Sequence, residues 1–158
     1  MVGYIRSGDI FIIPHYLYIQ PPYCFYKKIL NDFNFSNVYL IAENKNNPVI
    51  DKLLMNFPHI IYESQSLQID ISKLVGAYNL AGGGASSFFS SVLELTKNLQ
   101  ILFYFNLENR CYLPLKKVNK YIMYATNEYL KIMSPWNNTI LQRNFMNTFN
   151  CSNNFVLE

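Results

Sequence analysis

Leu74-Val75-Gly76-Ala77-Tyr78-Asn79-Leu80-Ala81-Gly82-Gly83-Gly84-Ala85-Ser86-Ser87-Phe88-Phe89-Ser90-Ser91-Val92-Leu93 is twenty residues long and carries no charged side chain. That is the bare length of a membrane-spanning helix. Its interior argues for something else. Three consecutive glycines are poor helix residues, and Asn79 and four clustered serines are polar. The stretch reads better as a buried strand, Tyr78–Ala81, a glycine turn, and a helix from Ser87 to Lys97 in an α/β core.

Working outward, short apolar runs alternate with helical patterns. Val2–Arg6 reads as the first strand. Pro21-Pro22 opens a helix with Phe25, Ile29, Leu30 and Phe33 on one face, since proline suits the first helical position. Asn37–Ala42 is a second strand. Asn47-Pro48 caps and starts a helix with Val49, Leu53 and Phe57 in phase. His59–Tyr62 is a short third strand, Ile69–Ala77 a short helix, and Gln100–Phe105 the most apolar strand. Val118, Ile122, Ala125, Tyr129 and Ile132 fall at helical spacing and predict a final amphipathic helix ended by Pro135. The expectation is therefore an α/β, Rossmann-like, mostly parallel sheet of about five strands with helices on both faces. Residues 1–135 form one Rossmann-like domain in this reading. Residues 136–158 form an Asn-rich tail, either packed through Phe145, Phe149 and Phe155 or loose.

Composition narrows the function classes. Half of the 158 residues are apolar and 15% are charged, so the chain can bury a core. A net charge of +3, scattered along the chain, gives no basic stripe and argues against a nucleic-acid partner. Cys24, Cys111 and Cys151 are widely spaced and form no C-x-x-C, which argues against structural zinc. Their odd number gives no sign of a disulfide framework. His15 and His59 lack metal-ligand spacing, and no metal is expected. No secretory pattern is visible at the N-terminus, so the default expectation is a cytoplasmic chain without a membrane span.

Candidate site residues follow strand ends, where open α/β sheets bind ligands. Only three arginines accompany ten lysines, and Arg6 stands at the mouth of the first strand. An arginine there can fork two hydrogen bonds onto a phosphate, or it can pair with Asp9. Gly82-Gly83-Gly84-Ala85-Ser86-Ser87 either lets a ligand approach the backbone and a helix N-terminus or forms a tight turn with Ser86 as N-cap. No lysine occupies a P-loop position and no G-x-G-x-x-G occurs. Asp70 can accept paired hydrogen bonds from a guanine edge, or complement a helix dipole, or both. Arg6, Glu43-Asn44, Gly82–Ser87 and Asn106 all follow strand ends and are expected to converge on one crevice.

Tyr4-Ile5-Arg6-Ser7-Gly8-Asp9 resembles the H-x-R-x-G-D motif of the fucosyltransferase superfamily, which includes α1,2- and α1,6-fucosyltransferases and protein O-fucosyltransferases. The order of later pieces is similar too: the strand Val38–Glu43, then Asp70 with Leu74 and Ala77, then Ser86-Ser87-Phe88. The similarity spans roughly residues 2–105. It implies a donor-binding domain of GT-B type that transfers fucose from GDP-fucose with inversion, without a metal or other cofactor, to a glycan or protein acceptor. Arg6 would hold the donor β-phosphate and stabilise the leaving group. Asp70 would recognise guanine. Ser86, Ser87 and Phe88 would line the donor pocket, and Tyr4, in the place of the motif histidine, and Gly83 and Gly84, from the turn read above, are further candidates for binding the donor.

The resemblance also marks departures. Tyr4 stands where the motif has histidine, and a phenol is no base near neutral pH, so no catalytic base is named. Enzymes of the superfamily carry a further domain, mostly N-terminal, that helps form the acceptor cleft; the expectation is a fragment lacking it or a minimal relative. Two other function classes fit the same residues. One is a non-catalytic α/β interaction module in which Arg6 pairs with Asp9 and the glycines serve only a turn. The other is a phosphate-ligand enzyme on a flavodoxin-like sheet.

Overall fold

The computed structural model describes residues 1–62, 65–107, 115 and 117–158. Seven strands form one sheet: β1 (Val2–Tyr4), β2 (Val38–Ile41), β3 (Ile60–Tyr62), β4 (Asn79–Gly83), β5 (Ile101–Asn106), β6 (Asn119–Tyr124) and β7 (Val156–Leu157). Their order is β3-β2-β1-β4-β5-β6-β7. All neighbours run parallel except β6 and β7, which pair antiparallel. The sheet grows outward from β1 to β3, then returns to the other side of β1 with β4. That reversal is a topological switch point, and it opens a crevice at the carboxyl ends of β1 and β4.

Among the described residues six α-helices cover the sheet: α1 (Tyr23–Asp32), α2 (Pro48–Asn56), α3 (Leu67–Val75), α4 (Ser87–Leu95), α5 (Asn127–Met133) and α6 (Ile140–Thr148). Period-two alternation sends successive strand residues to opposite faces. Ala81, Phe103, Phe105 and Met123 pack with Phe25, Ile29, Ile50, Leu53, Tyr129 and Met146 of α1, α2, α5 and α6. Leu80, Leu102 and Ile122 pack with Leu74, Phe89, Val92 and Leu93 of α3 and α4. Both sheet faces are thus dry, which explains why the strands read as near-continuous apolar runs. The uncharged stretch 74–93 divides between the end of α3, β4 and most of α4, and among the described residues no helix is long and apolar enough to cross a membrane.

Among the described residues the sheet has seven strands where about five are expected from the sequence. The helix expected over Val118–Ile132 is instead β6 followed by α5. Tyr121 and Met123 face one core and Ile122 and Tyr124 the other, so apolar side chains on both faces hide the strand's alternation. Pro22 is the N-cap of α1 rather than its first residue. Asn47 caps α2, its side chain accepting from the Val49 N–H at 3.0 Å, with Pro48 beside it.

Residues 136–158 pack on the domain. Trp136 is fully buried and its indole N–H donates to the Ile10 carbonyl at 2.9 Å. Phe155 packs edge-on against Phe25 and Phe103. Cys151 forms a disulfide with Cys24 of α1, a pairing the odd cysteine count concealed; Cys111 lies outside the described residues.

Candidate functional site

The β1 strand delivers its following residues into the switch-point crevice. Ile5 N–H still donates to Ile41 O at 2.9 Å, and the chain then leaves the sheet at Arg6. A buried network fixes this exit. Asn47, fully buried, donates from Nδ2 to the Arg6 carbonyl at 3.0 Å. The Asn47 N–H donates to Ser7 Oγ at 3.0 Å, and Ser7 Oγ donates to Asn44 Oδ1 at 2.7 Å. The cap of α2 therefore also positions the backbone of Arg6, a second role that helix-start reasoning alone does not reveal.

Above this network lies a cavity of about 500 Å³. That volume falls in the ~300–1,000 Å³ range of small-molecule sites. Tyr4, Arg6, Asp70, Ser86, Ser87 and Phe88 all line it, together with Asp9, Glu43, Leu67 and others. Residues that are distant in sequence thus meet because β1, α3 and α4 begin or end at the same crevice. Asn106 is buried at the end of β5 and is not among the lining residues.

Arg6 is held from three sides. Nη1 donates to the Ala85 carbonyl at 2.7 Å, Nη2 pairs with Asp9 Oδ2 at 3.1 Å, and the guanidinium lies 4.2 Å from the Tyr18 ring centroid. Its side chain is 17% exposed, whereas that of Asp9 is 58% exposed. An ion pair with so open a partner is worth ~0–1 kcal/mol. Both side chains line the cavity, and the guanidinium has further N–H groups beyond the two engaged.

Of the two readings of the glycine run, the turn is the one the local geometry describes. Gly83 and Gly84 are not among the lining residues. Gly83 has φ 138° and lies against the backbone of Phe105, whose N would be 2.6 Å from an added Cβ. Gly84 has φ 67°, and its Cβ would stand 2.7 Å from the Ile19 carbonyl. Their absent side chains admit β5 and the 15–22 segment. The Gly84 N–H donates to Phe105 O and the Ala85 N–H to Ile19 O, so these donors are used by the fold.

The start of α4 remains available. Ser86 Oγ caps the helix by accepting from the Phe89 N–H at 3.2 Å. Among the described residues the Ser87 and Phe88 N–H groups have no intramolecular acceptor, as expected in a first helical turn. The Tyr4 ring stacks on Phe89 at 5.5 Å and tilts against Phe88 at 5.3 Å. Burial raises the Tyr4 phenol pKa, with a side-chain hydrogen bond to Ser86 acting in the other direction. The phenol is therefore neutral at physiological pH and acts as a hydrogen-bonding wall.

Charge in the cavity is uneven. Among the described lining residues Arg6 is the single cation, facing the carboxylates Asp9, Glu43 and Asp70. Asp70 sits in the first turn of α3, and partial burial raises its pKa, with Lys73 pulling it back. Leu67, Phe88, Ile41 and Ala42 supply apolar wall. Such a site can take an anion at Arg6 and the α4 N-terminus, and N–H or O–H donors at its carboxylates. Among the described residues no group of three or more His, Cys, Asp or Glu side chains could hold a metal ion.

Fold and site together define an α/β protein of Rossmann-like topology with a ligand-sized cavity at its switch point. Compared with models of known protein families, with curated proteins and with solved structures, the chain finds no match.

Proposed function

We propose that this chain is a nucleotide-sugar-binding domain, with GDP-fucose the first candidate ligand and transfer of its sugar to a glycan or protein acceptor the reaction it serves. One observation carries the reading. Arg6, Asp70, Ser86, Ser87 and Phe88, the residues that resemble the fucosyltransferase pattern, line one cavity at the switch point together with Tyr4, which stands in the place of the motif histidine. The diphosphate lies against Arg6 and the first turn of α4, where a guanidinium and free N–H groups stabilise the charge of the leaving group. The base presents its N–H edge to Asp70.

The test is thermal unfolding with millimolar GDP. A ligand that binds only the folded state at a hundred times its Kd stabilises by about 2.7 kcal/mol. GDP is expected to raise Tm, and Arg6→Ala to abolish the rise while retaining the far-ultraviolet circular dichroism of the wild type.

A second reading has its own observation. The Arg6–Asp9 pair is closed and Gly83 and Gly84 serve the turn, which is the arrangement expected of an interaction module that has lost its ligand. The open cavity favours binding. Absence of any Tm shift with GDP, UDP or their sugars would favour the module.

A further inference from the structure

We infer that Gln20 is a positioning residue that ties the Arg6 guanidinium to the start of α4, so that the two anion-binding elements grip a diphosphate as one unit; the inference rests on the nucleotide-sugar reading above. Gln20 is not among the residues that line the cavity. It is 1% exposed, and it acts through the Ala85 carbonyl that also receives Arg6.

The surroundings fix which way this amide faces. Gln20 Nε2 donates toward three carbonyls, those of Ile19 at 3.2 Å, Ala85 at 3.3 Å and Tyr18 at 3.4 Å. Turned over, the amide would set its oxygen against all three. Its Oε1 is buried and has no partner among the described residues. A buried acceptor left unpaired costs stability, so the amide is oriented by what Nε2 holds and not by any need of Oε1.

What Nε2 holds is the peptide that joins Arg6 to α4. The Ala85 carbonyl accepts from Gln20 and, at 2.7 Å, from Arg6 Nη1. The Ala85 N–H donates to the Ile19 carbonyl at 3.1 Å, so the segment 18–20 grips residue 85 at both its polar groups. The next residue, Ser86, is the N-cap of α4. Tyr18 of the same segment lays its ring against the guanidinium. The buried Tyr129 hydroxyl anchors the segment from α5 by donating to the Gln20 carbonyl at 2.7 Å. Without Nε2 the Ala85 carbonyl is free to turn and carry Arg6 away from the helix start. A diphosphate, long enough to meet both elements, gains most from their fixed relation, and a monophosphate gains less.

The experiment is isothermal titration of wild type and Gln20→Met with GDP and GMP. Methionine is unbranched, close in size to glutamine and accepted in cores, and it removes the donor. Wild type is expected to bind GDP about tenfold or more tightly than GMP, and Gln20→Met to reduce that ratio to about three or less. A Gln20 that only fills space would weaken both ligands alike and leave the ratio intact. That result, or equal binding of GDP and GMP by wild type, would overturn the assignment and spare the nucleotide-sugar reading. In an Arg6→Ala background Gln20→Met is expected to cost GDP no further affinity; a further loss there would show an action other than through Arg6 and overturn the assignment. Should Gln20→Met fail to fold, Tyr129→Phe removes only the hydroxyl that anchors Gln20 and is expected to lower the GDP-to-GMP ratio about twofold or more, an unchanged ratio again overturning the assignment. If wild type binds no GDP at all, both readings fall.

Discussion

Arg6 and Asp9 close an ion pair of 3.1 Å at the cavity wall, three residues apart in sequence. The pair holds a carboxylate against the cation to which the account assigns a phosphate. The same Asp9 uses its other oxygen to accept from the Ile10 N–H at 2.9 Å, so its position is set by the turn and not by Arg6 alone. A diphosphate has to displace or share that carboxylate.

Asp9→Asn is therefore expected to tighten GDP binding. Asparagine keeps an oxygen for the Ile10 N–H and removes the competing charge. At this separation and partial exposure the gain is about three- to tenfold in Kd, shrinking as salt rises. Titration of GDP at two salt concentrations measures both effects.

Asp70 carries a cost that should show in stability. Burial raises its pKa in the folded state, so the folded protein is penalised for the charged form. The penalty is present above the raised pKa. It falls away as pH drops through that value toward 3.8, the ordinary value for the group, because the native state then binds the proton more readily than the unfolded chain. Asp70→Asn is expected to raise Tm at pH 7, with the gain shrinking toward pH 4, while GDP binding is lost. Thermal melts across that pH range check the sign.

Gly83→Ala tests the glycine assignment. A methyl at this position meets the Phe105 backbone, and φ 138° is unfavourable to any side chain. Strain and overpacking together are expected to cost about 2–4 kcal/mol, read as a lower urea midpoint. A glycine present only to admit a ligand would change binding and leave the midpoint in place.

How much of this was legible follows from where the physics is local. Asn47 with Pro48, and Ser86 before Ser87, announce helix starts through side chains that cap their own helices, and both do so. Strands β1 to β5 were visible as apolar runs because both sheet faces are covered. The same double burial hid β6, whose Tyr121, Ile122 and Met123 show no alternation. Gly83 and Gly84 announced a close approach without saying of what; the answer lies in Phe105 and Ile19, which only the fold brings there. The partner of Cys24, 127 residues away, has no local signature at all. Arg6 was legible both as a phosphate fork and as an ion-pair partner of Asp9.

The Cys24–Cys151 bond predicts how the tail is held. It closes a loop of 127 residues and ties the segment after α6 to α1. Closing so long a loop restricts the unfolded chain and is expected to contribute about 3–5 kcal/mol. Replacing both cysteines with serine should lower the urea midpoint accordingly and leave GDP affinity within about twofold, because neither residue lines the cavity.

The most direct measurement of the central claim is a calorimetric titration of the wild-type chain with GDP, repeated with Arg6→Ala. One site per chain is expected, with binding weakened at least tenfold by the substitution. Equal affinity in the two proteins, or no heat of binding in either at millimolar GDP, would contradict it.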